Sequence, residues 1–136
     1  MRQRRVVTFF AAASVMLMAA RVFAHHSFAA EFDSNKRIAL TGSVTKVEWT
    51  NPHAHFYIDV KDPSGTVVNW NFELNGPNGL LRRGWTRTSL KPGDVVTVDG
   101  FLAKDGTHYV NAVTVKMSDG RKMFAGSSSG DPGPSQ

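Results

Sequence analysis

Four of the five histidines fall in two close pairs, His25–His26 and His53-x-His55, and the fifth is His108. Imidazole is a preferred ligand of late first-row metals, so these spacings are the first chemistry to weigh. His25 and His26 follow a stretch that reads as an export signal. "MRQRR" is its basic region, "VVTFFAAASVMLMAA" its apolar region and "RVFA" its cleavage region, with Val22 and Ala24 at the −3 and −1 positions. Cutting after Ala24 makes His25 the new N-terminus, whose α-amine and imidazole form a chelate that needs no fold to assemble it. The amine titrates close to neutrality, so a metal displaces its proton readily. A third nitrogen from His53, His55 or His108 would complete a T-shaped site of the histidine-brace type. Alternatively, His26 at position two binds through the amine, the intervening amide and its own imidazole. Both arrangements are planar and nitrogen-rich, which points to Cu(II). Zinc on His53, His55 and His108 lacks an obvious fourth ligand. A cut after Ala29, with Ser27 at −3, would instead discard both N-terminal histidines.

Charge and composition bound the partners. The chain of 136 residues carries a formal charge of +5, yet Arg2, Arg4, Arg5 and Arg21 all precede the cleavage point and no acidic residue does. Of the 16 basic residues 12 remain after cleavage, against 11 acidic ones. A mature chain this close to neutral gives nucleic-acid binding little support. The apolar run from Val6 to Ala20 is short for a bilayer span and is closed by Arg21, so no membrane insertion is expected once the signal is removed. Periplasmic or secreted location follows. Arg4–Arg5 allows twin-arginine export, but Val7 and Thr8 fit general secretion better. There is no cysteine, hence no disulfide, thiolate site or cysteine nucleophile.

Beyond the signal, apolar and polar residues alternate in short runs broken by turn signals, which is an all-β pattern. Strands are expected at 37–50, 55–60, 66–74, 95–103 and 107–116. In the first, Leu40 and Val44 share one face and Val47 and Trp49 the other, so a bulge near Thr45 or Lys46 is needed. Pro77 opens a short helix that Gly84 stops. Three strands, a helix and two strands give the expected fold class: all-β, a small five-stranded OB-fold-like barrel with a short helix between strands 3 and 4. A β-sandwich is the alternative. The expected division is a signal at 1–24, an N-terminal arm at 25–36, the barrel at 37–124 and a disordered tail at 125–136, with a turn or short edge strand in 118–124.

In the second strand Ala54, Phe56, Ile58 and Val60 fall on one face, and His53, His55, Tyr57 and Asp59 on the other. In the third, Trp70, Phe72 and Leu74 point inward and Asn69, Asn71 and Glu73 outward. OB-folds bind ligands on this outer face, flanked by the first and last hairpin loops. The candidate metal ligands are therefore His25, His26, His53, His55 and His108, and the candidate ligand face is Tyr57, Asp59, Asn69, Asn71 and Glu73. Trp49, Trp70 and Trp85 read as core or barrel-mouth aromatics. Arg82, Arg83, Arg87 and Lys91 read as a solvated basic patch. "NGPNG" lacks the lysine of a phosphate loop, and no G-x-S-x-G or H-E-x-x-H is present, so no catalytic residue is assigned and the protein is not read as an enzyme. The expected function is an exported soluble binding module that takes Cu(II) through a mature N-terminal histidine. The alternative is a metal-free module for an envelope protein or small ligand.

"HHSFAAEFD", "VEWTNPHAHFYIDV" and "NWNFELNGPNGLLRRGWTRTSLKPGDVVTVDGF" together resemble a family of small exported bacterial proteins known as a domain of unknown function. The resemblance covers nearly all of 25–124 and implies export and a single small domain. More loosely, the barrel resembles periplasmic OB-fold copper chaperones. Their soft ligand set is not reproduced, because Met117 and Met123 lie away from the histidine face, which leaves Cu(II) rather than Cu(I).

Overall fold

The computed structural model describes residues 27–126. A short helix, α1 (Ser27–Glu31), runs into β1 (Phe32–Glu48), followed by β2 (His55–Lys61), β3 (Val67–Glu73), α2 (Pro77–Arg82), β4 (Val95–Ala103), β5 (Tyr109–Met117) and β6 (Lys122–Phe124). The protein is all-β, and five strands bond in a ring. β1 pairs antiparallel with β2 and β4, β2 with β3, and β4 with β5. The ring closes through a parallel seam in which Asn71, Phe72 and Glu73 of β3 meet Tyr109, Val110 and Asn111 of β5. β6 extends the sheet beyond β5.

Alternation sets the two faces of the ring. Phe56, Ile58, Phe72, Val98, Val110 and Val115 are fully buried and fill the barrel. α2 stoppers it with Pro77 and Leu80, and Gly84 at φ +86°, a conformation open to glycine without a Cβ clash, ends the helical turn. Trp85 packs beneath and donates from Nε1 to the Phe124 carbonyl at 2.7 Å. The register shift in β1 falls between Val44 and Lys46. It inverts the strand's parity, so that Val44 is buried ahead of the bulge and Val47 packs against the core after it. Gly42 lies where β1 crosses β2 so closely that a Cβ there would stand 2.3 Å from the Asp59 carbonyl oxygen.

Most strand ends fall within two residues of the sequence expectation, and two departures bear on the packing. β1 starts five residues earlier than 37, because Phe32 is buried against β4 opposite Ala103. The polar residues between Phe32 and Arg37 are absorbed by a second register shift, with the Asn35 amide bound to Asp33 Oδ1 at 3.0 Å. At the other end Ala125 and Gly126 belong to the domain rather than to the tail. Ala125 is buried and donates to Val113 O while accepting from Asn75 N, both at 2.8 Å, and its small side chain permits that depth. Among the described residues no helix is long and apolar enough to cross a membrane.

Candidate functional site

On the outer face of the ring, β2 and β3 place His55 opposite Glu73, Tyr57 opposite Asn71 and Asp59 opposite Asn69. The parallel seam adds Tyr109 and Asn111 from β5, and the stretch of β1 after its bulge adds Lys46 and Glu48. Glu73 is the hub. Its Oε1 accepts from Asn111 Nδ2 at 3.2 Å and lies 3.2 Å from His53 Nδ1, and its Oε2 accepts from the Tyr109 hydroxyl. Asn111 is 1% exposed, so this carboxylate answers a donor that water does not reach. Burial, and then the hydrogen bond to Glu73, push the Tyr109 phenol far above its ordinary range, so it stays a donor. Phe32 packs on the Tyr109 ring at 5.0 Å, and His55 stacks on it at 6.2 Å.

The two histidines of β2 and its approach are held in the same way. His53 Nδ1 sits 3.1 Å from the Leu74 carbonyl as well as against Glu73, and His55 Nδ1 sits 3.1 Å from Asn71 Oδ1. All of these partners are acceptors, so a proton on Nδ1 of each ring would satisfy them and leave the lone pair on Nε2. A histidine whose other nitrogen is fixed by a carbonyl or carboxylate is in the state that metal ligation uses.

Around this hub the face divides into two more groups. Tyr57 donates to Glu48 Oε2 at 3.0 Å, while Lys46 pairs with Glu48 and stands 5.3 Å over the Tyr57 ring. Lys46, and then Tyr57, hold the Glu48 carboxyl below the usual range. Asn69 Nδ2 bridges Asp59 Oδ1 at 2.7 Å and Thr45 Oγ1 at 3.2 Å.

The sequence-derived candidates thus separate. His53, His55 and Asn71 gather around Glu73, Tyr57 stands in the neighbouring group with Glu48 and Lys46, and Asp59 pairs with Asn69. His108 does not join them. Its ring packs on Trp70 at 4.7 Å, on the other side of β3 from Asn71 and Glu73. His25 and His26 lie outside the described residues. Among the described residues no group of three or more His, Asp or Glu side chains is placed to hold a metal ion. Arg82, Arg87 and Lys91 are exposed, and Arg83 donates to the Gly126 carbonyl at 2.9 Å. Alternation along β2 and β3 does not reach Tyr109, Asn111, Phe32 or Glu48. Asn111, an amide set amid the apolar run of β5, was the available signal for a buried partner.

Residues 12–111 match a family of unknown function, DUF6152, and the chain belongs to that family. No curated protein matches the chain.

Proposed function

We propose that the mature protein is an exported binding module, periplasmic or secreted, and that its ligand is Cu(II). The observation that supports this reading is the matched state of His53 and His55. In each, Nδ1 faces an acceptor, which leaves the lone pair to Nε2, and the two residues sit two positions apart, His53 just ahead of β2 and His55 at its start. Two imidazoles suit a borderline metal that prefers nitrogen, and Cu(II) binds such sets most tightly among the divalent first-row ions. A chain that begins at His25 brings a second, self-contained donor set in its amine and imidazole, with His26 as the neighbouring option. The role is metal handling or delivery, and no reaction is assigned.

The test is native mass spectrometry of the protein recovered from its own exported fraction, before and after adding Cu(II). One copper retained by the wild type, and lost on replacing His53 and His55 together with Ala, is the expected result for the barrel pair. Loss on replacing His25 and His26 would assign the copper to the N-terminal chelate instead. A mass beginning at Ala30 eliminates that chelate. A chain that stays metal-free under excess Cu(II) overturns the metal reading and leaves Tyr57, Asp59, Asn69, Asn71 and Glu73 as a polar contact face for an envelope protein or small ligand.

A further inference from the structure

A separate feature lies around the β2–β3 turn, at the end of β3 away from α2. Leu40, Val60, Val68 and Trp70, each half-buried, line an open groove of about 390 Å³ whose edge is completed by Pro63 and His108. An apolar cavity of roughly 150 Å³ is enough to take a benzene ring, so there is room here for an aryl or branched alkyl group and a short polar head. The volume also falls within the range of small-molecule sites, which occur often at the mouths of β-barrels.

The groove's polar groups choose the head. Lys61 lines it from the end of β2, is exposed, and makes no ion pair among the described residues. The His108 ring, 4.7 Å from Trp70, makes no hydrogen bond among the described residues, and an imidazole always keeps at least one N–H to donate. The one acid in the lining, Asp62, makes no ion pair with Lys61 and commits one carboxylate oxygen to the turn. Its Oδ1 accepts from the Ser64 amide at 2.9 Å, the Ser64 hydroxyl at 2.6 Å and the Thr66 amide at 2.9 Å, closing the turn. An apolar floor beneath an unpaired ammonium and an N–H donor complements an anion with an apolar body.

We propose that this groove binds a small amphipathic carboxylate, such as an arylacetic or branched aliphatic acid. Its apolar body lies against Trp70, Val60, Val68 and Leu40, and its carboxylate meets Lys61 and His108. This does not depend on His53, His55 or Glu73 of the candidate metal site, none of which lines the groove.

Phenylacetate is the probe, titrated into the full mature chain in the presence of a chelator and followed by ¹H–¹⁵N spectra. Saturable shifts centred on the Trp70 indole and the Val68 amide are expected. Lys61→Gln, an exposed change that leaves the barrel intact, weakens binding on the order of tenfold, the loss of one charge-assisted contact. Three outcomes overturn the proposal. One is no saturation by about 20 mM, beyond any millimolar affinity. Another is an equal response to phenethylamine, which carries the opposite charge. The third is a shift pattern centred on His55 and Tyr109 in place of Trp70.

Discussion

Replacing Glu73 with Ala is the sharpest test of the outer network, because two glutamates on that face stand in opposite circumstances. Glu73 has 12% of its side chain exposed and serves three donors, one of which, Asn111, is 1% exposed. Without the carboxylate, Asn111 Nδ2 loses its acceptor in a place water does not reach, a cost of about 1–3 kcal/mol. The half-buried Tyr109 hydroxyl loses its partner too, adding about 1 kcal/mol. His53 keeps the Leu74 carbonyl and adds little. The expected loss is therefore about 2–4 kcal/mol, a large part of the roughly 5–15 kcal/mol that holds a small domain together. Glu48, by contrast, has 33% of its side chain exposed and pairs with a Lys46 that is 61% exposed, so Glu48→Ala is expected to leave stability unchanged within error. Urea unfolding of both variants at neutral pH reads this as a lowered midpoint for Glu73→Ala alone, with an unaltered slope. A double-mutant cycle with Tyr109→Phe should return a coupling of about 1 kcal/mol. Equal midpoints for the two alanine variants, or no coupling to Tyr109, would refute the claim that Glu73 organises this face.

Other perturbations follow from the same geometry. Gly42→Ala forces a Cβ to 2.3 Å from the Asp59 carbonyl and should lower the thermal midpoint by the equivalent of about 1–3 kcal/mol, read by calorimetry. Trp85→Phe removes the indole donor to Phe124 and should speed amide exchange at Lys122–Phe124 well before the rest of the barrel, which hydrogen exchange resolves residue by residue. Lys46→Ala should raise the Glu48 carboxyl toward its ordinary range in an NMR titration. Because the folded value is depressed, the small contribution of this solvent-screened carboxylate is present above the ordinary glutamate range and fades as pH falls through the lowered midpoint. An unmoved Glu48 titration would remove Lys46 as the cause.

The elements were legible in the sequence where a single strand or turn decides them. The alternation in 55–60, the parity change around Thr45 and the Pro77–Gly84 bracket each carry their own reading, and the structure places β2, the bulge and α2 there. What alternation cannot carry is pairing between distant strands. His108 fell on the histidine face only by analogy with loop positions, whereas the parallel seam offsets Tyr109 onto that face and leaves His108 against Trp70. Glu48 was hidden for a related reason, since its outward direction depends on the bulge that precedes it. Phe32 was missed because "DSNK" looks like a break, and the polar residues there bulge out of a strand that continues past them.

The seam between β3 and β5 also governs when the Glu73 network comes into being. Its bonds join Glu73 to Tyr109 and Asn111, partners 36 and 38 residues further along the chain. No local hairpin can pre-form them, and each is gained only in the step that turns an open sheet into a ring. The outer site is in this sense a signature of closure. A ligand that needs Glu73 and His53 aligned ignores every nascent or partly unravelled chain and, once bound, clamps the ring by mass action, so that occupancy and resistance to unfolding rise together.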